Sequence, residues 1–156
     1  RSPISREPMT LLRICSLLAL SLGFVGTSVA GTVALVAGGG NKPDGSPAAE
    51  AKTIQPFAVD FTRDGTPLFV EMNKGERLRQ LSADGTLVTL AGTGEKGAPG
   101  TDGPADKATF NGMHNLICAP DGSVYLADTF NHRIRVYDPK TKTVKPFAGT
   151  GKPGFA

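Results

Sequence analysis

The sequence repeats itself with a period of about 57 residues, and this repeat restricts the possible fold more than any other feature. A short Ala-Gly-x-Gly segment ends an apolar stretch three times, at residues 37–40, 91–94 and 148–151. The pair Asp64-Gly65 returns 57 residues later as Asp121-Gly122. A period of this length indicates a chain built of stacked structural units rather than one continuous core.

Each unit contains four short apolar or alternating segments separated by turn signals, which predicts four antiparallel strands per unit. The 20 glycines and 12 prolines argue against long helices, so we expect an all-β chain. A four-stranded unit buries both faces only by stacking against neighbours, and such units stack around an axis as a β-propeller. The predicted strands span residues 56–61, 67–71, 77–82 and 86–91 in the first unit and 114–119, 123–127, 133–138 and 143–148 in the second.

Residues 121–137, which read DGSVYLADTFNHRIRVY, resemble the core of an NHL repeat. The first unit resembles a degenerate copy, since it has Glu71 for the aspartate and lacks the Asn-His pair. The loop after Ala-Gly-Thr-Gly is similar to those of NHL propellers in secreted bacterial proteins. The resemblance covers about residues 32–156 and implies a six-bladed ring, which needs roughly 340 residues at this period.

We therefore expect the chain to be the N-terminal fragment of such a ring. Residues 1–8 would precede a start at Met9, residues 9–30 would form a signal peptide, and residues 31–156 would form a partial propeller. Its blades are expected at about 54–94 and 111–151. Residues 32–37 align with the fourth, outermost strand of a blade and are expected to close a blade whose other strands lie elsewhere, so that the ring has no open edge.

The leader has the parts of a secretory signal. Arg13 provides a positive charge, residues 14–25 are apolar, and Ser28 and Ala30 are small residues at the −3 and −1 positions of a cleavage site. We expect a secreted or periplasmic protein that meets the membrane only during export. Residues 14–41 carry no charge and are long enough to span a bilayer, so an uncleaved anchor remains the alternative.

The charge of the body excludes one class of partner. The formal net charge is +3, but residues 31–156 contain 14 Lys and Arg against 13 Asp and Glu, a net of +1. No basic run is present, so no nucleic acid is expected as a partner. The partner class that remains is a protein or small-molecule ligand of unknown identity.

Several polar residues recur, and we predict a structural role for them. The acids Glu71 and Asp128 end the second strand of each unit, and Arg77 and Arg133 open the third. Each acid is expected to pair with that arginine across the hairpin. The second unit adds Asn131 and His132 between the two, and His132 is expected to be a turn residue.

His114 and Asn115 differ in that the first unit has Phe57 and Ala58 at the matching positions. They begin the innermost strand of the second unit, which lines the channel of a propeller near one mouth. The resemblance implies that related six-bladed enzymes build metal sites there from several blades, so both residues are candidate ligand or metal contacts. A divalent cation in the complete ring is a possible cofactor.

Two functions follow from these observations. The first is a secreted binding scaffold for a ligand or a protein, because no catalytic set of residues is evident. The alternative is a six-bladed propeller enzyme, similar to metal-dependent lactonases, hydrolases or lyases, with its site in the central channel.

Two further motifs have simpler interpretations. Residues 92–97 fit G-x-G-x-x-G, but no helical pattern follows them, so we interpret them as a loop between blades. Cys118 lies in an apolar run and is expected to be a small buried residue rather than a reactive thiol.

Overall fold

A computed structural model describes residues 31–97 and 103–154 of the chain, and the predicted signal peptide lies outside these residues. The helical elements in these two ranges are short 3-10 turns: η1 (Ala48–Glu50), η2 (Ala105–Lys107) and η3 (Thr129–Asn131). No helix within them has the length and apolar character needed to cross a membrane.

The strands form two antiparallel sheets, which confirms the all-β prediction. One sheet has the order β1-β2-β3-β4, and the other has the order β5-β9-β8-β7-β6. The eight predicted strands are present with bounds that differ by at most one residue, because Gly and Asp mark the hairpins. The strands are β1 (Pro56–Phe61), β2 (Pro67–Glu71), β3 (Arg77–Leu81), β4 (Leu87–Ala91), β5 (Gly103–Pro104), β6 (Met113–Cys118), β7 (Val124–Asp128), β8 (Arg133–Asp138) and β9 (Thr143–Ala148).

The loop that precedes each four-stranded sheet returns to close its outer edge. Pro47 bridges to Thr86 beside β4, and β5 pairs with β9 at the equivalent place in the second sheet. The turns η1 and η2 follow directly, 57 residues apart. Proline supplies no N–H for a ladder, so its position at these edges limits further strand addition.

The two sheets are blades of the β-propeller type. Their first strands lie in contact, and the backbone N–H of Cys118 in β6 donates to Asp60 Oδ2 in β1 at 2.8 Å. At the other side of the blades, η2 packs on β4. The blades therefore meet directly at their first strands, while a loop fills the space between them farther out.

An apolar core lies between the two blades. Leu68, Val70 and Leu78 project from the first blade and are fully buried against the second. The loop supplies Phe110, which is also fully buried. Burying side chains of this size contributes about 1.5–3 kcal/mol each, so this interface is the main stabilising contact of the described chain. The second blade contributes Met113, Leu116, Val124, Leu126, Tyr137 and Val144.

Equivalent residues of the two blades differ in burial because only one face of each blade is covered by the other. Leu116 is 3% exposed beneath the first blade, whereas its counterpart Val59 is 62% exposed. An apolar groove with a volume of about 280 Å³ runs along that open face beside Val59 and Phe69. On the far side of the second blade, Phe147 is exposed and packs edge-on against Tyr125.

The strand expected at residues 32–37 is not formed within the described structure. Residues 32–37 form no strand and pair with no other segment within the described ranges. A strand exists only through hydrogen bonds to a neighbour, and the first blade already has its four strands in order. The strands expected to pair with this segment lie elsewhere, so its place as a closing strand stays a prediction.

The open faces lead to a prediction about residues 31–156 expressed alone. We expect this segment to self-associate and to bind a hydrophobic dye, because both outer faces expose large apolar side chains. Size-exclusion chromatography with light scattering tests this expectation. A monomer that melts cooperatively would contradict it.

Candidate functional site

The predicted site residues gather at one edge of the blades, which we call the upper edge. It is the edge where β1, β3, β6 and β8 begin and where β2, β4, β7 and β9 end. Antiparallel order places the β2–β3 and β7–β8 turns and the loop between the blades at this edge. His114, Asp128 and Arg133 therefore lie on the same side of the molecule, although they come from different strands.

Buried acids anchor the loops at this edge. Glu71 and Asp128 are both fully buried, and they accept the backbone N–H groups of Ile54 at 2.9 Å and Asn111 at 2.8 Å. Ile54 and Asn111 are 57 residues apart, so the same bond recurs in each blade. These acids fasten the incoming loop to the end of the second strand, which is a structural role.

In the first blade, the acid pairs with a different arginine from the one predicted. Arg77 lies opposite Glu71 in the ladder, but its guanidinium donates to the carbonyl oxygens of Gly75 at 3.1 Å and Thr93 at 3.0 Å. Glu71 instead receives both of its arginine bonds from Arg79 Nη1, at 3.1 and 3.2 Å.

The second blade has the equivalent arginine beside its acid. Arg135 Nη1 lies 3.9 Å from Asp128 Oδ2 and donates to the carbonyl oxygen of Thr109 at 2.9 Å. The Arg135 guanidinium also lies over the Phe110 ring, 5.0 Å from its centroid. Arg133 stands opposite Asp128 in the ladder; burial raises the pKa of that carboxyl, and the Arg133 charge is among the contacts that oppose the rise.

Asn131 and His132 belong to the same structural network. Asn131 Nδ2 donates to both carboxylate oxygens of Asp128, at 3.1 and 3.0 Å, and to the carbonyl oxygen of Gly97 at 2.9 Å. It thereby joins the β7–β8 turn to the loop between the blades. His132 ends η3 in the left-handed conformation with φ 50°, so the turn position predicted for it is correct.

Glu76 is a buried acid that the sequence analysis missed. It occupies the turn position equivalent to His132 and has φ 40°. Its Oε2 accepts the backbone N–H of Gly112 in the other blade at 3.0 Å, and its Oε1 has no hydrogen-bond partner in the described structure. Burial raises the pKa of Glu76, and the nearby Asp128 charge adds to this, while the Gly112 N–H and Lys96 oppose it. Burial likewise raises the pKa of Asp128.

His114 is part of a cluster of three aromatic rings, which we call the aromatic triad: Phe57, His114 and Phe130. The His114 ring lies edge-to-face against Phe57 at 4.9 Å and against Phe130 at 5.3 Å. Phe57 is 56% exposed and Phe130 is 53% exposed, while His114 is half-buried. Because Phe57 belongs to β1 and the other two rings to the second blade, the triad joins neighbouring blades at the upper edge.

A glycine makes room for this cluster. Gly112 has φ 68°, and a Cβ placed on it would lie 2.3 Å from the Phe130 ring. Any side chain there would displace Phe130. The packing of the aromatic triad therefore requires glycine at position 112.

Asn115 is exposed in β6, immediately beyond the aromatic triad. Its Oδ1 accepts the backbone N–H of Leu116 at 2.9 Å. This bond turns the amide oxygen toward its own strand, whereas the Nδ2 group has no hydrogen-bond partner within the described residues. Asn115 is thus better placed to donate to a ligand than to coordinate a cation.

No three His, Cys, Asp or Glu side chains in the described ranges are grouped so that they could hold a metal ion. The cation expected in a complete ring stays a prediction, because residues from several blades would contribute to it. Cys118 packs partly buried against the core, and burial and the Asp60 charge raise the pKa of its thiol to about 11. Such a thiol is protonated at neutral pH and is a poor nucleophile.

Two features of this site escaped the sequence analysis. Phe57 and His114 hold matching positions in the repeat, so the alignment of the two units could have predicted their contact. The contribution of Phe130 could not be predicted in this way, because it depends on the shape of η3. Glu76 has no acidic counterpart in the second unit, and nothing in its sequence context marks it as buried.

Comparison with curated proteins supports NHL-repeat homology. The chain is 33% identical over 133 residues to NHL repeat-containing protein 2 of Bos taurus and 32% identical over 133 residues to the Homo sapiens protein. Each match covers 78% of this chain and 18% of the relative. A 54-residue segment is 44% identical to protein SUPPRESSOR OF QUENCHING 1, chloroplastic, of Arabidopsis thaliana, covering 35% of this chain and 5% of that protein.

The chain thus spans less than a fifth of the length of these relatives. No family model matches it.

Comparison with solved structures gives partial overlaps at low identity. A structural genomics protein of unknown function from Bacteroides thetaiotaomicron aligns with a TM-score of 0.49 and 19% identity, covering 58% of this chain and 22% of that one. Virginiamycin B lyase from Staphylococcus aureus aligns with a TM-score of 0.43 and 14% identity, covering 62% and 27%. At these TM-scores, the overlaps have no bearing on function.

The buried Glu76 leads to a prediction about pH. Because its pKa is raised in the folded state, the folded protein binds a proton more tightly than the unfolded chain does. Its contribution to the free energy of unfolding therefore falls as the pH rises from about its ordinary value of 4.5 through the raised pKa. We expect Glu76→Gln to gain stability relative to the wild type across this interval and to keep that gain at higher pH.

Chemical denaturation of both proteins between pH 4 and 8 measures the difference, with Glu95→Gln as the matched control at an exposed glutamate. A stability difference that does not change with pH would show that Glu76 titrates normally.

Proposed function

We propose that this chain forms part of a six-bladed NHL-repeat propeller of the secreted bacterial type, and that the propeller is a binding scaffold whose ligand or protein partner docks at the upper mouth of the ring. The main support is the aromatic triad. Two of its rings are more than half exposed, and they flank a histidine beside a free amide donor. Exposed aromatic rings next to a hydrogen-bonding group are typical of binding surfaces.

The repeat explains how such a mouth would acquire specificity. Phe57 and His114 hold the same position in adjacent blades and touch each other laterally. In a closed ring, this position would contribute one side chain per blade around the mouth. The Glu71 and Asp128 anchors lie at the ends of β2 and β7, so the mouth position on the first strand can vary without loss of these anchors.

Further blades would cover the open faces of this chain. The face with Val59 and Phe69 is apolar, and the equivalent face of the second blade is buried beneath the first. A four-stranded blade that presents side chains like Leu68 and Val70 fits this face. The unpaired segment at residues 32–37 would gain its strand partners in the same way.

The binding proposal predicts a loss of affinity when the mouth is altered. Peptides selected from a random display library against the full-length protein should bind the wild type more tightly than the His114→Ala, Asn115→Ala double variant. We expect a loss of about tenfold or more, the size expected for one buried contact and one hydrogen bond. Isothermal titration measures the affinities.

Lys107→Ala, a change at an exposed lysine on η2, serves as the control and should bind like the wild type. Selected peptides that bind the double variant as tightly as the wild type would place the binding surface elsewhere.

The secretion proposal has its own test. Expression of the full-length gene in a bacterial host should yield a mature protein that begins at Gly31, because the small residues Ser28 and Ala30 define the cleavage site. N-terminal sequencing of the periplasmic or culture fraction reads this directly. A product that keeps its leader and sediments with membranes would favour the uncleaved anchor.

A further inference from the structure

A polar cavity of about 280 Å³ opens at the upper edge of the first blade, and we call it the blade 1 cavity. It lies between the loop that leads into β1 and the strands β2, β3 and β4. None of the three residues of the aromatic triad lines this cavity, so the two features are separate. Its lining consists of Asn41, Lys42, Pro43, Asp44, Lys52, Ile54, Glu71, Arg77, Arg79 and Thr89.

The two acids of this cavity are already bound within the protein. Glu71 accepts two bonds from Arg79 and one from a backbone N–H. Asp44 Oδ1 accepts Arg79 Nη2 at 3.0 Å, and its two oxygens accept the hydroxyl and the backbone N–H of Thr89, both at 3.1 Å. Their charges are therefore matched by Arg79, which is itself 5% exposed, and by neutral donors.

Two of the three remaining positive charges are not matched. Lys42 pairs with Glu50 at the rim. Arg77 donates only to two neutral carbonyl oxygens, so no acid balances its charge. The Lys52 ammonium makes no ion pair or side-chain hydrogen bond within the described part of the chain. The cavity thus presents two uncompensated cations beside a rigid, buried wall formed by Glu71 and Arg79.

The blade architecture does not require these lysines. The residue equivalent to Lys52 in the second blade is Thr109, and the residue equivalent to Lys42 is Pro99. By contrast, the acid and the two arginines recur in both blades. The basic character of the cavity is therefore particular to the first blade, as expected for a site added to a repeated framework.

We propose that the blade 1 cavity binds an oxyanion, the carboxylate or phosphate group of a ligand, between Lys52 and Arg77. Arginine presents donors in a planar fork that matches such groups, and lysine adds a mobile point charge. The volume accommodates one such group together with part of the molecule that bears it. Arg79 donates to both Asp44 and Glu71, so these acids do not compete with the ligand for Lys52 and Arg77.

The test uses the full-length protein with sodium phosphate and, separately, sodium succinate as probes. Each is titrated in a calorimeter and in a thermal-shift assay against sodium chloride of equal ionic strength. We expect saturable binding and a rise in melting temperature with at least one probe beyond the chloride effect. Binding of phosphate alone, of succinate alone, or of both supports the proposal and distinguishes a phosphorylated ligand from a carboxylate ligand.

The substitution Lys52→Thr installs the residue that the second blade already uses, so the blade should remain folded. We expect it to weaken binding about tenfold, as the loss of one charge-assisted hydrogen bond would do. Lys52→Arg should retain binding, and Lys107→Thr, the same charge change at an exposed site, should have no effect. Equal weakening by Lys52→Thr and Lys107→Thr, loss in Lys52→Arg, or no saturable binding of either probe would overturn the proposal.

Discussion

The structure depends on one constraint: a four-stranded sheet with apolar side chains on both faces must be covered on both sides. Leu68 and Val70 cover one face of the first blade against the second, and Leu126 lies on the face that the second blade turns toward the first. One face of a blade therefore fits the opposite face of the next blade, and it does not fit a second copy of itself. Such units stack head to tail around an axis, and each added blade both buries one face and exposes the next.

This packing concentrates buried charge at the upper edge. The turns that end β2 and β7 must receive the loop arriving from the previous blade, and that loop brings unsatisfied backbone N–H groups into the interface. Carboxylates accept these hydrogen bonds: Glu71 and Asp128 each accept an N–H from the incoming loop, and Glu76 accepts one from the neighbouring blade. Burial raises the pKa of Glu76 and of Asp128. The positive charges of Arg133 and Arg135 on the third strand favour the ionised form of Asp128 and oppose the rise in its pKa.

The framework that results separates structural residues from variable ones. The acid, the arginines and the Gly-rich loop recur because every blade needs them. The first residues of the inner strand and the loop before it differ between blades, and they supply two rings of the aromatic triad and the lysines of the blade 1 cavity. Much of what distinguishes the candidate binding features thus lies where the repeat permits variation.

The strands were predictable because hairpin glycines and alternating apolar residues are local signals. The choice of Arg79 over Arg77 as the partner of Glu71 was not, because both arginines lie near the acid along the sequence and only the third dimension shows that Arg77 turns toward Gly75 and Thr93. The strand expected at residues 32–37 stays a prediction, because the strands that would pair with it are not among the described residues. Phe130 and Glu76 were missed because their positions follow from the path of a turn and not from the spacing of residue types.

The sequence by itself determined the repeat, the four strands of each unit and the residues that mark its turns, because these depend on backbone preferences and side-chain alternation over a few positions. Only the tertiary structure decided which acid meets which arginine, which rings touch across the blades and which lysine is left without a counter-charge. Those outcomes depend on distances between residues far apart in the chain, and the packing of one blade against the next sets those distances.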